Sequence, residues 1–211
     1  MITIGLLGQK RSGKDTLAKF ICNHTDNVDT IKVAEPLKNS ILELFPSWGH
    51  GIFEDDGLKD KVDERYGVSP RDVAKFFGYE LLLLLGEAYP AFEKARGTTH
   101  HSKTLIERIE QEQESVDEQH SDTEVMVVTD LRTQNDVDAV RAVGGVVIKI
   151  TRKATDVVPD ETTHATESFI PTFTDYDACF GNDGYFDDLE DFARTIVAAY
   201  ITKEIDTAGE E

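Results

Sequence analysis

Only two cysteines occur in the 211 residues, Cys22 and Cys179, and they stand far apart with no metal-ligand spacing. This excludes a disulfide-stapled scaffold and a cysteine zinc site. The expectation is two reduced, buried thiols in a cytoplasmic protein. Long hydrophobic stretches are also missing. The longest apolar run, Leu81 to Leu85, falls far short of the roughly 20 residues that a membrane span needs. Met1 to Leu7 has neither a basic n-region nor a small-residue cleavage site, so it reads as a first strand and not as a signal peptide. Positive charge is scarce: 22 Lys and Arg stand against 41 Asp and Glu, a net charge of −19. Such a surface repels a phosphate backbone, which excludes a nucleic-acid polymer as the main partner. A small anion can still bind if a few basic residues gather in one locally positive site.

What is present points to layered α/β structure. Hydrophobic residues make up 39% of the chain, enough for a core at this length. Ile2 to Leu7, Thr30 to Ala34, Val125 to Thr129, Val146 to Ile150 and Ala178 to Phe180 read as strands. Lys14 to Asn23, Asn135 to Val143 and Leu189 to Ile205 have helical periodicity, and Gly144-Gly145 stops the second of these. Strands alternating with helices imply a parallel sheet covered on both faces. The middle of the chain is mostly helical, and Ser69-Pro70 opens its clearest helix with proline in the first turn. Gly97 to Glu124 is polar and reads as one charged helix, Lys103 to about Asp117, with an exposed surface that includes His100, His101 and His120.

The chemistry concentrates at Gly8-Gln9-Lys10-Arg11-Ser12-Gly13-Lys14-Asp15-Thr16, which follows an apolar strand and opens a helix. This is the phosphate-binding pattern G-x-x-x-x-G-K in its confirming context. The glycines let backbone amides wrap an anion at a helix N-terminus, and Lys14 adds a mobile charge for β- and γ-phosphates. Asp15 stands where switch GTPases and motor ATPases carry the magnesium-binding hydroxyl, with Thr16 one residue later. No Asn-Lys-x-Asp base-reading motif occurs. The strand Val125 to Thr129 runs into Asp130-Leu131-Arg132 and not Asp-Glu. A carboxylate to polarise an attacking water is missing, so transfer to a bound acceptor is favoured over hydrolysis. Arg132 and Arg152 end successive strands on the edge where ligands of open α/β sheets collect, and suit the clamping of phosphates.

Five segments together resemble the phage-type deoxynucleoside monophosphate kinases of the P-loop kinase superfamily. They are Lys10 to Thr16; Ala34-Glu35-Pro36-Leu37-Lys38; Ser69-Pro70-Arg71-Asp72-Val73 with Gly78-Tyr79-Glu80; Asp130-Leu131-Arg132 with the strand ending at Arg152; and His164-Ala165-Thr166-Glu167 with Asn182-Asp183-Gly184. The resemblance runs to about residue 195 and leaves Gly97 to Glu124 uncovered. It implies a P-loop kinase three-layer sandwich with a five-stranded parallel sheet, a helical acceptor-binding insertion and a short lid. The chain then forms a single domain, with its core at about 1–35 and 122–205, the insertion at 36–121 and the lid at 152–168. The implied reaction takes ATP, Mg2+ and a deoxynucleoside monophosphate. Gly8, Lys10, Arg11, Ser12, Gly13, Lys14, Asp15 and Thr16 hold the donor. Lys14, Arg132, Arg152 and Asp15 act in transfer, and Asp15 and Asp130 serve magnesium through water. Lys38, Arg71, Lys75, Glu80, Arg132 and Glu167 meet the acceptor. Lys75 and Tyr79 replace the family's glutamine and threonine; a lysine donates only, which favours the acceptor atoms of guanine or thymine, hence dGMP or dTMP.

Two alternatives remain open at this stage. One is a P-loop kinase for another phosphorylated metabolite, and the other is a nucleotide-binding module without turnover. A homodimer is as admissible as a monomer. The charge balance yields a first prediction. Self-repulsion among 41 acidic side chains destabilises the compact state, and salt screens it over about 10 Å at 0.1 M. The melting temperature should therefore rise with added KCl; a flat profile from low to molar salt would remove the idea.

Overall fold

The computed structural model describes residues 1–118, 121–153 and 165–202, with residues 56, 98 and 165–168 described by backbone alone. The chain divides into two compact units: Met1–Lys32 with Thr104–Glu211, and Val33–Lys103.

The first unit is built on a sheet that, among the described residues, has five strands: β1 (Ile2–Gly8), β2 (Val28–Ile31), β3 (Val125–Leu131), β4 (Val146–Thr151) and β5 (Ala178–Gly181). Their order is β2-β3-β1-β4-β5 and every pairing is parallel. β1 lies in the middle, so its ITIGLLG sequence is apolar almost throughout. On one face Ile4, Leu6, Val125, Val127, Ile148 and Ile150 pack with Leu17 and Ile21 of α1 (Lys14–His24) and with Leu189, Ala193 and Ile196 of a helix, Phe186–Ile196, near the end of the described chain. Gly5 turns to the other face, where a Cβ would stand 2.6 Å from Leu131 and 3.1 Å from Val140. The sheet and the helix before β4 pack that closely only because the side chain is absent.

In the second unit, α2 (Glu35–Leu44), α3 (Asp56–Lys59), α4 (Pro70–Lys75), α5 (Leu81–Ala88) and α6 (Pro90–Ala95) follow one another. Ile41, Trp48, Phe53 and Val73 form their core. Phe45 stacks on Trp48 at 4.4 Å between centroids, and Tyr66 meets both rings edge-on. The Trp48 indole donates to Asp63 Oδ2 at 2.8 Å. Arg65 closes on the same carboxylate with Nε and Nη2 and holds its pKa well below the usual range. Ser69 caps α4 by accepting from the Asp72 N–H, with Pro70 at the first helical position. A single π turn, Phe76–Glu80, joins α4 to α5.

The unit boundary falls inside α7 (His100–Asp117). The remaining α-helices among the described residues are α8 (Gln134–Ala142), α9 (Ala165–Thr172) and α10 (Phe186–Ile196), the helix already seen against α1, which runs on into a π-helical stretch, Val197–Thr202. No helix among the described residues is long and apolar enough to cross a membrane.

Four expectations need correction. β2 begins at Val28 and ends at Ile31, not Thr30 to Ala34. Its register with β3 starts at Val28↔Val125, where the Asn27 carbonyl accepts from Glu124 and Val125, and Ala34 already accepts the Lys38 N–H at the start of α2. As an edge strand with Asp29 and Thr30 exposed, β2 carries little apolar signal. Cys179 is exposed on the outer edge strand β5, and Cys22 is half-buried, so the pair is not a buried one. α7 is not wholly a solvated helix, because Leu105 and Ile109, four residues apart, are buried. His100 and His101 are half-buried: His100 packs against Phe92, and His101 Nε2 lies 3.0 Å from the Gly78 carbonyl. His120 lies outside the described residues.

Candidate active site

The loop between β1 and α1 is held open by backbone conformations that few residues adopt. Gly13 has φ 106° and Arg11 φ 66°. A left-handed non-glycine residue is strained, and such strain collects at functional sites. Positive φ at residues 11 and 13, with one residue between them, is the kind of turn backbone from which anion-binding nests are built. At Gly8 a Cβ would stand 2.7 Å from the Ile150 carbonyl. Ser12 donates its N–H to the Gln9 carbonyl at 3.1 Å, and Asn182 Nδ2 donates to the Ser12 carbonyl at 2.8 Å. Lys10, Arg11 and Asp15 are exposed, whereas Thr16 is half-buried at the start of α1.

Lys14 is the unusual charge. It is 7% exposed, and among the described residues its ammonium makes one long hydrogen bond, 3.4 Å to the Gln9 carbonyl. Burial pushes its pKa below the ordinary 10.5; Asp15 and Asp130 oppose that shift, while Arg132 and Lys32 add to it. Lys149 provides the comparison within the same unit. It is 6% exposed, but its ammonium donates to Phe173 O at 2.6 Å and to Pro171 O at 3.3 Å, at the end of α9. Two carbonyls compensate the Lys149 ammonium, whereas among the described residues Lys14 has the one long bond to Gln9 O. Three more buried polar atoms, Gln9 Oε1, Ser12 Oγ and Thr129 Oγ1, have no partner among the described residues. Buried orphans of this kind point to a ligand or ordered solvent.

The carboxyl ends of β3 and β4 supply the rest. Between Gly5 and Leu7 the β1–β3 register slips, with Gly5 opposite Val128 and Leu7 opposite Leu131. The extra β3 residue makes a bulge at Thr129-Asp130, a device that re-aims side chains beside active sites. Asp130 is half-buried and close enough to Lys14 to affect its titration, as is Arg132. The Arg132 N–H donates to Asp136 Oδ2 at 3.1 Å, and the same carboxylate accepts from Thr133 and caps α8. This fixes the backbone while leaving the Arg132 side chain exposed. Arg152 follows β4 and is also exposed.

Magnesium keeps most of its waters and takes one or two carboxylates together with phosphate oxygens. Asp15 and Asp130 fit that demand. No cluster of three or more His, Cys, Asp or Glu suited to a metal occurs among the described residues.

The residues read as acceptor contacts fall mostly in the second unit. Lys75 and Glu80 line one cavity of about 500 Å³, walled by Phe45, Val68, Phe76 and Phe77. Among the described residues Lys75 has no hydrogen-bond or ion-pair partner, and its side chain is exposed. Arg71 grips Asp60 in a two-point fork through Nε and Nη2. Lys38 pairs with Glu54 at 3.2 Å and lies over the Phe53 ring. The Glu167 side chain and most of the segment read as a lid, including His164, lie outside the described residues. Sequence reasoning gave no role to Gln9, Asp136 or Asn182. For Asn182 a signal existed, the Asn-Asp-Gly run at the end of β5.

A parallel sheet of order 2-3-1-4-5 with a glycine loop and a buried lysine behind its central strand has the fold of the P-loop kinases. The comparisons narrow the class. Residues 107–192 match the family model "Deoxynucleotide monophosphate kinase". The chain is also 28% identical over 200 residues to a protein of Acanthamoeba polyphaga mimivirus described as "Putative deoxynucleotide monophosphate kinase", covering 94% of this chain and 95% of that one. The chain thus resembles deoxynucleotide monophosphate kinases over nearly its whole length, and both findings support that class of phosphotransferase.

The Lys14 burial carries a stability consequence. Its folded pKa is lowered, so the burial penalty is fully present below that pKa and is relieved as pH rises from there toward 10.5. Lys14→Met should therefore raise the melting temperature of the ligand-free protein at neutral pH, by roughly 2–4 °C for each kcal/mol recovered. Calorimetry at pH 7 checks this; a lowered melting temperature would show that Asp15 and Asp130 already compensate the charge.

Proposed function

We propose that the protein transfers the γ-phosphoryl group of ATP to a deoxynucleoside monophosphate, giving ADP and a deoxynucleoside diphosphate, with dGMP or dTMP preferred. The observation that carries this reading is the buried Lys14 ammonium at the mouth of the glycine loop, with a single long hydrogen bond among the described residues. Only a strongly anionic ligand offsets such a charge well, and a triphosphate is one.

In this reading the amides of residues 8–14 hold the β- and γ-phosphates, and Lys14 bridges them. Asp15 and Asp130 would hold Mg2+ through water, where the ion would neutralise charge on the phosphate oxygens. An oxygen of the acceptor phosphate attacks the γ-phosphorus, and the bond from that phosphorus to the β–γ bridging oxygen breaks. The electron pair stays with ADP. The acceptor phosphate is already anionic at neutral pH, so no general base is required. Lys14, Arg132 and Arg152 stabilise charge on the oxygens around the transferring group. Val33–Lys103 supplies the acceptor contacts. Arg71 holds the acceptor phosphate with the same bidentate fork that it shows toward Asp60. Lys75 reads the base from the aromatic-walled cavity that it shares with Glu80. Lys38 and Glu167 complete the acceptor set. The partners are then small nucleotides in a cytoplasm, that of a host cell if the gene is phage-borne.

A coupled ADP-release assay with dAMP, dCMP, dGMP and dTMP tests the reaction; ADP release that no monophosphate stimulates would overturn it. Lys14→Ala should lower turnover by more than about a hundredfold while the fold survives; near-normal turnover would remove the phosphate-loop assignment. Lys75→Gln should change the ranking of the four acceptors, because glutamine both donates and accepts. An unchanged ranking would mean that the base is read elsewhere.

A further inference from the structure

At the end of β5, Asn182 makes two contacts with different roles. Its backbone N–H donates to the Thr151 carbonyl at 2.8 Å, continuing the β4–β5 pairing. Its side chain reaches across to the β1–α1 loop, where Nδ2 donates to the Ser12 carbonyl at 2.8 Å. The neighbouring Asp183 accepts the Lys153 N–H at 2.7 Å. Asn182 is therefore fixed on both sides before its side chain acts.

The Ser12 carbonyl belongs to the same planar, trans peptide as the Gly13 N–H, and in such a unit the two groups point in opposite directions. Holding the carbonyl toward Asn182 holds the Gly13 N–H away from it. Gly13 is left-handed, and a Cβ on it would collide with Asn182 Nδ2. The amide thus lies against the Gly13 backbone, at a distance that only glycine permits.

We propose that Asn182 is a positioning residue for the donor phosphates: it sets the orientation of the Ser12–Gly13 peptide and so aims the Gly13 N–H that binds the anion. This rests on the phosphate-loop reading above. It assigns a role in donor binding, distinct from acceptor binding, to a residue 170 positions away in sequence. The backbone bond to Thr151 survives any side-chain change, so stitching of the sheet and aiming of the loop are separable.

The test uses the full-length chain and titrates MgATP and dGMP or dTMP separately into Asn182→Leu, Asn182→Ala and Lys14→Ala. Both Asn182 variants should raise the Kd for ATP at least tenfold and leave the Kd for the monophosphate within twofold. KM for ATP should follow the same split. If Lys14→Ala loses ATP while both Asn182 variants bind it within twofold of the native chain, Asn182 is only a stitch and the inference falls, though the phosphate-loop reading stands. If Lys14→Ala also binds ATP normally, that reading falls and takes the inference with it. Equal loss of ATP and monophosphate affinity, or failure of both Asn182 variants to fold by circular dichroism, would make Asn182 a structural residue and overturn the proposal.

Discussion

One buried ammonium organises this molecule. In a chain of net charge −19, a lysine that is 7% exposed and, among the described residues, holds a single 3.4 Å hydrogen bond is costly to keep. The fold retains it at the carboxyl end of the central strand, where β1 meets both β3 and β4. The flanking carboxylates, Asp15 and Asp130, temper the charge without cancelling it, since burial still lowers its pKa. The chain is acidic as a whole, yet Lys10, Arg11 and Lys14 gather in one turn of it.

The sheet turns that constraint into geometry. Gly5 lets the helix after β3 press close, and Gly8 lets the loop pass the Ile150 carbonyl. The bulge in β3 moves Asp130 to the edge, and Asp136 pins the backbone at Arg132. Each device is local, and all but the mid-strand Gly5 act at strand ends on the same edge, as expected where ligands of open α/β sheets bind.

Much of this was legible in the sequence, for physical reasons. The glycine loop announces itself because left-handed backbone and close approach admit few residues. The central strands β1, β3 and β4 are buried on both faces, so they read as apolar runs. β2 was misplaced because an edge strand needs no such run: Asp29 and Thr30 face solvent, and its register is set by β3. The bulge was invisible, since Thr129-Asp130 looks like the end of a strand until the pairing on its other side is known. The isolation of Lys14 and the contact between Asn182 and Ser12 depend on residues distant in sequence, and local pattern reading cannot supply them. In the second unit, the capped helix after Ser69 was plain from Ser-Pro, whereas the fork between Arg71 and Asp60 spans a loop whose path no periodicity encodes.

The chain contains one tryptophan, and it sits in the second unit, stacked on Phe45 and bonded to Asp63. Indole emission responds to local polarity and to neighbouring rings, so tryptophan fluorescence, excited at wavelengths where tyrosine does not absorb, is a private signal of Val33–Lys103. Far-ultraviolet circular dichroism, by contrast, sums the helices of both units. A denaturation followed by the two optical channels thus reads a part against the whole. Coincident midpoints would mean that both units melt in one cooperative step, and a gap would measure how far each stands alone.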